Sequence, residues 1–261
     1  MCYDISFSTQ IELITDYLPE LEIDPQLSIS FQPAIHTQAQ SFQRSPVIIF
    51  DEGKYKLKPF EWGIIAPYMN TPEKIKKLRP QMCNARSEKL LDKTSYWNRI
   101  RKTRCLIPVT GVFEHREIKG WKNKVPYYIQ LKNRELFCLP GLFHYPDKAD
   151  VETGEVTGNF TVITRAANSV MKQIHNGGEQ AFRMPLFLPK DLEQKWLLPD
   201  LSDAEISEIL DFEMPSESLG YHPVFTIRTT KERPDQKSKN EEYAWEALPP
   251  LGIDSSSLSL F

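Results

Sequence analysis

Directly after the initiator methionine the chain carries Cys2. Cysteine is small enough to allow removal of Met1, and removal leaves an α-amine and a thiol on one residue. That pair is a 1,2-aminothiol. It condenses with an aldehyde to a Schiff base and then, as the thiol adds to the imine carbon, to a five-membered thiazolidine. Only an N-terminal cysteine closes that ring. The amine has a reference pKa of about 7.7 to 8.0 and the thiol about 8.5, so roughly a fifth to a third of the amine is unprotonated near pH 7.4, and a neighbouring base need help only modestly. A cysteine at position two does not establish this chemistry by itself, because chance or a buried terminus explains most of them.

Three further segments narrow the reading: Asn84-Ala85-Arg86-Ser87-Glu88, the run Arg104-Cys105-Leu106-Ile107-Pro108-Val109-Thr110-Gly111-Val112-Phe113-Glu114, and Ile174-His175 followed at a distance by Arg183-Met184-Pro185. With Met1-Cys2 and Trp62-Gly63-Ile64-Ile65-Ala66-Pro67 they resemble, in order, the signature blocks of the SRAP family, the SOS response-associated peptidases, over positions 2 to 230. The resemblance implies an α+β fold with a positively charged groove, self-removal of Met1, and a reversible thiazolidine cross-link between Cys2 and the ring-opened aldehyde of an abasic site. It leaves strand-cleaving lyase activity open. The implied partner is single-stranded DNA containing abasic sites, and a covalent trap of this kind needs no second subunit, so a monomer is expected.

On that resemblance, Asn84 orients the abasic sugar or the Cys2 backbone, and Arg86 grips a phosphate in bidentate fashion. Glu114 ends an apolar strand, where a carboxylate needs a partner. The Cys2 ammonium is that partner, which Glu114 holds and helps to deprotonate. His175, taken as titrating near physiological pH, donates a proton to the sugar ring oxygen as the deoxyribose opens. Arg183 and Arg104 join Arg86 as DNA contacts. Trp62 either stacks on a base beside the lesion or belongs to the core. The chain departs from the family pattern in three places. Tyr3 and Asp4 follow Cys2 where Gly and Arg are common, so an acid sits where it either repels phosphate or pairs with a base. Seven residues, Asn176 to Phe182, separate His175 from Arg183, where the family has one. His115 stands where Trp is common.

Two other readings use the same residues. Cys2 is also the nucleophile expected of an N-terminal amidase or peptidase acting in trans, with its own amine as base. A basic segment and Trp62 alone would suit a non-catalytic single-strand-binding module.

Elements must bring these segments together. Ile11, Ile14 and Leu18, ended by Pro19, predict an early helix, and helices are also expected over 95–102, 168–174, 190–198 and 203–212. Strands are expected over 47–50, 62–66, 105–113, 125–131, 136–143 and 160–164; in Val125, Tyr127, Ile129 and Leu131 the period is the two of a half-buried strand. Strands dominate the middle without regular βαβ alternation. The expectation is one α+β domain over 1–235 around a strongly bent, mostly antiparallel, barrel-like sheet, with 236–261 as a C-terminal extension ending in the Ser-rich stretch 255–259.

Hydrophobic content of 40% in 261 residues suits a soluble globular protein with a substantial core. No apolar run is long enough for a membrane span and no secretory signal is visible, which reads as cytoplasmic. The four cysteines, Cys2, Cys83, Cys105 and Cys138, show no metal-ligand spacing, so neither metal nor cofactor is expected. The net charge of −3 excludes a general polyanion binder, but it is unevenly placed. Lys74 to Arg104 holds eleven basic residues against two acids, and Asp200 to Glu217 holds seven acids and no base. The basic segment either faces a phosphate backbone or forms solvated helix faces.

Overall fold

The computed structural model describes residues 2–147, 149 and 154–253; the Ser-rich stretch 255–259 lies outside them. The chain begins with β1 (Asp4–Phe7), α1 (Glu12–Tyr17), β2 (Leu21–Ile23), α2 (Pro25–Ser30) and β3 (Ala34–Gln38). A hairpin of β4 (Arg44–Asp51) and β5 (Lys54–Trp62) leads to α3 (Pro72–Leu78), β6 (Asn84–Arg86) and α4 (Tyr96–Arg99). The middle is β7 (Arg104–Val109), β8 (Gly111–Arg116), β9 (Val125–Leu131), β10 (Phe137–His144) and β11 (Asn159–Ala166). Then come α5 (Ser169–Ile174), β12 (Arg183–Pro185), α6 (Lys190–Trp196), α7 (Asp203–Asp211) and β13 (Leu219–Pro223).

The strands form two sheets. In one the order is β13-β9-β8-β1-β3; in the other it is β12-β11-β10-β7-β4-β5-β2, with β6 added beside β11. β5 also pairs in parallel with β11, Phe160 opposite Trp62, and this closes the larger sheet on itself through β10, β7 and β4. The expected bent, mostly antiparallel, barrel-like α+β architecture is the one observed.

Strand alternation divides the core. Val47, Ile49, Cys105 and Ile107 join Cys2, Ile5, Val112 and Ile129 in a cluster shared by both sheets. Ile48, Leu106, Cys138 and Ile163 face the other way, onto Ile14 and Tyr17 of α1, Trp196 of α6 and Ile206 and Ile209 of α7. Asn168 caps α5 by accepting from the Met171 N–H at 3.0 Å, and Ser202 with Glu205 forms a reciprocal capping box on α7.

The apolar run 105–113 is two strands rather than one. It breaks at Thr110, and β7 belongs to the larger sheet while β8 belongs to the smaller one. Gly111 makes the crossing feasible: a Cβ there would meet the Tyr128 ring at 2.2 Å. The expected strand over 62–66 ends at Trp62, and the helix over 95–102 is the single turn of α4. Residues beyond β13 also pack on the domain. Arg116, fully buried on β8, donates to the carbonyls of Pro249 and Pro250, each at 2.7 Å, and Trp245, Leu248 and Leu251 lie against the shared core.

Candidate functional site around residue 2

Where the two sheets meet, the start of the chain is held in the interior. β1 lies between β3 and β8, with Asp4 opposite Phe113, and one further step of that register sets Tyr3 beside Glu114 of β8. Cys2, just before β1, is fully buried, and its carbonyl accepts a hydrogen bond from Asn84 Nδ2 at 2.9 Å. Asn84 reaches it because β6 runs parallel to β11, which turns Asn84 inward and leaves Arg86, two residues on, exposed on the same side. α5 follows β11 and ends on His175, whose Nε2 lies 3.8 Å from Glu114 Oε2. The structure thus brings together Cys2, Asn84, Glu114 and His175 from four distant segments.

Burial governs the electrostatics. It pushes the Glu114 carboxyl up to about 8, against an ordinary value near 4.5. Burial, reinforced by the negative charge of Glu114, pushes the Cys2 thiol well above its usual range. His175 is pushed down to about 4, chiefly by burial. Its expected titration near physiological pH is therefore corrected: at pH 7 the imidazole is neutral, and the group beside it that still holds a proton is Glu114. His175 Nδ1 lies 2.8 Å from the Arg183 carbonyl and 3.3 Å from the Arg183 amide nitrogen, which fixes the ring with Nε2 turned to Glu114. Two buried acceptors, Asn84 Oδ1 and Glu114 Oε1, have no hydrogen-bond donor among the described residues.

The long segment between His175 and Arg183 leaves both in one site. The Phe182 N–H donates to the His175 carbonyl at 2.7 Å, and the loop returns Arg183 into β12. Asp4 does not stand as a bare acid. It is buried, which opposes ionisation, but His36 Nε2 at 2.8 Å and the Arg228 guanidinium, with Nε at 3.0 Å, outweigh that and hold its carboxyl below the usual range. Sequence reasoning missed His36 and Arg228, because nothing in the chain links position 4 to position 228. A cleft of about 420 Å³ opens onto this centre, lined by Tyr3, Asp4, Glu114, His175, Gln180 and Arg228 among others.

The expected DNA contacts divide. Arg86 is exposed and hydrogen-bonds Gln180 at the cleft. Arg183 is engaged by Glu88, at 2.5 and 3.0 Å, and by the Thr164 carbonyl at 2.7 Å. Trp62 has 0% exposure, donates its indole N–H to the Cys83 carbonyl at 2.8 Å and stacks on Phe160, so it is core and not a surface for a base. Arg104 is also buried; it donates to the carbonyls of Trp196 at 2.9 Å and Pro199 at 3.0 Å and fastens the end of α6, which removes it as a DNA contact. Further along the basic segment, Arg79 is buried against Glu61, Lys89 pairs with Asp92 and Arg101 pairs with Asp203 of the acidic stretch. Much of that charge holds the fold.

The closed, bent sheet buries the second residue of its own chain beside a carboxyl, an amide and an imidazole. The chain belongs to the SOS response associated peptidase (SRAP) family, whose model matches residues 1–227. It is 30% identical over 197 residues to the abasic site processing protein YoqW of Bacillus subtilis, covering 76% of this chain and 77% of that one. To the abasic site processing protein HMCES of Xenopus tropicalis it is 28% identical, covering 77% of this chain and 63% of that protein. Its fold matches a crystal structure of a protein from Bacteroides thetaiotaomicron with a TM-score of 0.75 and 31% identity, over 92% of this chain and 97% of the other. No helix among the described residues is long and apolar enough to cross a membrane.

Proposed function

We propose that the protein processes abasic sites in single-stranded DNA by capturing them covalently on Cys2, after the Met1–Cys2 peptide bond has been hydrolysed at the same site. The observation that carries this reading is the pair of buried acceptors around residue 2, Asn84 Oδ1 and Glu114 Oε1, which lack a donor among the described residues. Unpaired buried acceptors are costly, and an α-ammonium on Cys2 supplies the donors. Relatives named as abasic site processing proteins support the substrate class.

Burial raises the Glu114 carboxyl to about 8, so at neutral pH it is mostly protonated; its ionised fraction takes the proton from the ammonium, and the protonated form returns one as the reaction proceeds. The freed amine adds to the C1′ aldehyde of the opened sugar, and loss of water gives the imine. Sγ then forms a bond to the imine carbon while the thiol proton ends on nitrogen, closing a ring of sulfur, C1′, nitrogen, Cα and Cβ. One water is released and no oxidant is needed. His175 and Glu114 together relay the protons for opening the deoxyribose and, in reverse, for dissolving the cross-link. Asn84 fixes the Cys2 carbonyl and so the direction in which the amine points. Arg86 at the cleft is the phosphate contact, and binding falls steeply with salt as phosphates are neutralised.

The test is a denaturing gel with an oligonucleotide carrying one abasic site. An adduct that survives without a reductant is expected from the native chain and not from Cys2→Ala. An undiminished adduct in the variant refutes the reading, and steady turnover of a peptide in trans would favour an amidase instead.

A further inference from the structure

The seven residues between His175 and Arg183 place an aromatic ring in solvent, on a residue whose backbone is bonded to His175 and which follows the cleft-lining run Gly177 to Gln180. Phe182 is 53% exposed and has no aromatic partner among the described residues. Its φ is +61°, in the left-handed region that bulky residues rarely occupy. Phe42 shares this conformation, with φ +53°, and there packing explains it: the ring packs against the shared core and sits under the Arg79 guanidinium at 4.3 Å. Packing offers no such account of Phe182.

The backbone around Phe182 is fastened on every side. Its N–H donates to the His175 carbonyl at 2.7 Å, and its own carbonyl accepts from Ala167 N at 2.9 Å. At the other end of the loop, Asn176 and Glu117 exchange two hydrogen bonds, at 2.7 and 2.9 Å. Between them Gln180 holds Arg86. An exposed apolar ring on a clamped, strained loop, next in sequence to the residue whose carbonyl seats the imidazole and two residues from the glutamine that holds exposed Arg86, is an arrangement for a flat apolar ligand. Loop and surface residues without such a task are usually polar.

We infer that Phe182 is the stacking platform for the base next to the abasic site, the part that Trp62 cannot take from inside the core. This deepens the single-strand reading above and rests on it. A base whose neighbour is missing has one face uncovered, and the ring covers that face regardless of base identity, so selectivity for the gap comes without sequence preference.

The experiment measures non-covalent binding by fluorescence anisotropy. It compares single strands with one tetrahydrofuran abasic analogue and fully intact strands, both in a Cys2→Ala background. Phe182→Ala is expected to weaken binding to the abasic strand about 5- to 100-fold with an unchanged salt slope, and Phe182→Trp to stay within about twofold of the parent. Phe182→Gly relieves the backbone strain and should fold at least as stably as the parent while binding as poorly as Phe182→Ala, which separates loss of the ring from loss of the loop. Affinity of Phe182→Ala or Phe182→Gly within twofold of the parent overturns the inference. Wild-type chain that forms its adduct while both variants bind normally leaves covalent capture standing and removes the platform. Loss of affinity in the variants when the wild type forms no adduct does the reverse.

Discussion

Two glutamates are buried on opposite sides of the larger sheet, and they are satisfied very differently. Glu193, fully buried on α6, accepts from Arg134 at 2.9 and 2.8 Å, from the Tyr17 hydroxyl at 2.6 Å and from the Cys138 N–H at 3.2 Å. Glu114, at 3% exposure, faces an imidazole 3.8 Å away and keeps one oxygen without a donor among the described residues. Burial raises both carboxyls, but at Glu193 the guanidinium and the hydroxyl work against it. A carboxylate with all its donors in place locks three segments together; one left short of donors is the one that the proposed function uses to exchange protons. The first belongs to the fold and the second to the site.

Breaking the satisfied network gives the largest expected effect. Glu193→Ala leaves a guanidinium, a hydroxyl and an amide without their acceptor, and should lower stability by about 3–5 kcal/mol in urea denaturation while the adduct yield per folded molecule holds. A loss under 1 kcal/mol would erase the contrast. At Glu114 the expectation inverts. Glu114→Gln should slow adduct formation about a hundredfold without lowering stability.

Its pH dependence has a definite sign. Because the folded-state value is raised to about 8, the contribution of neutral Glu114 is fully present below the unfolded value near 4.5 and is lost as pH climbs through 8. The Tm of Glu114→Gln should therefore gain on the native chain between pH 5 and pH 9, by about 5 °C. A gap that is constant or shrinks contradicts the assigned burial effect. Tyr17→Phe, which removes one donor from Glu193 and keeps the guanidinium, should cost about 1–2 kcal/mol. The exposed pair of Lys195 and Glu208, 3.3 Å apart, sets the floor: Lys195→Ala should change stability by less than about 0.5 kcal/mol in the same assay.

What the sequence disclosed follows the same division. β9 was legible because Val125, Tyr127, Ile129 and Leu131 alternate, and its bounds match. β6 and β12, three residues each, carry no period of their own; they exist because β11 offers hydrogen-bonding partners on both sides. Cys2, Asn84, Glu114 and His175 were legible as motif residues, yet their meeting depends on the crossing at Thr110 that moves Glu114 into the smaller sheet. Trp62 was ambiguous because an aromatic ring reads alike as core or as platform until its exposure is known. Arg104 misled for a related reason: a charge count cannot tell a guanidinium aimed at solvent from one that caps a helix end. The Glu193 network was invisible, since Tyr17, Arg134 and Glu193 come from three segments of ordinary composition. The pairing of Asp4 was anticipated in kind, and the structure supplies its partners, His36 and Arg228.

The most direct test of the central claim is the intact mass of the purified protein, alone and after incubation with a single-stranded oligonucleotide carrying one abasic site, for the native chain and for Cys2→Ala. The account predicts a native chain lighter by one methionine that gains the mass of the oligonucleotide less one water, and a variant that gains nothing. A processed native chain that gains no mass, or a Cys2→Ala variant that gains as much as the native chain, contradicts it.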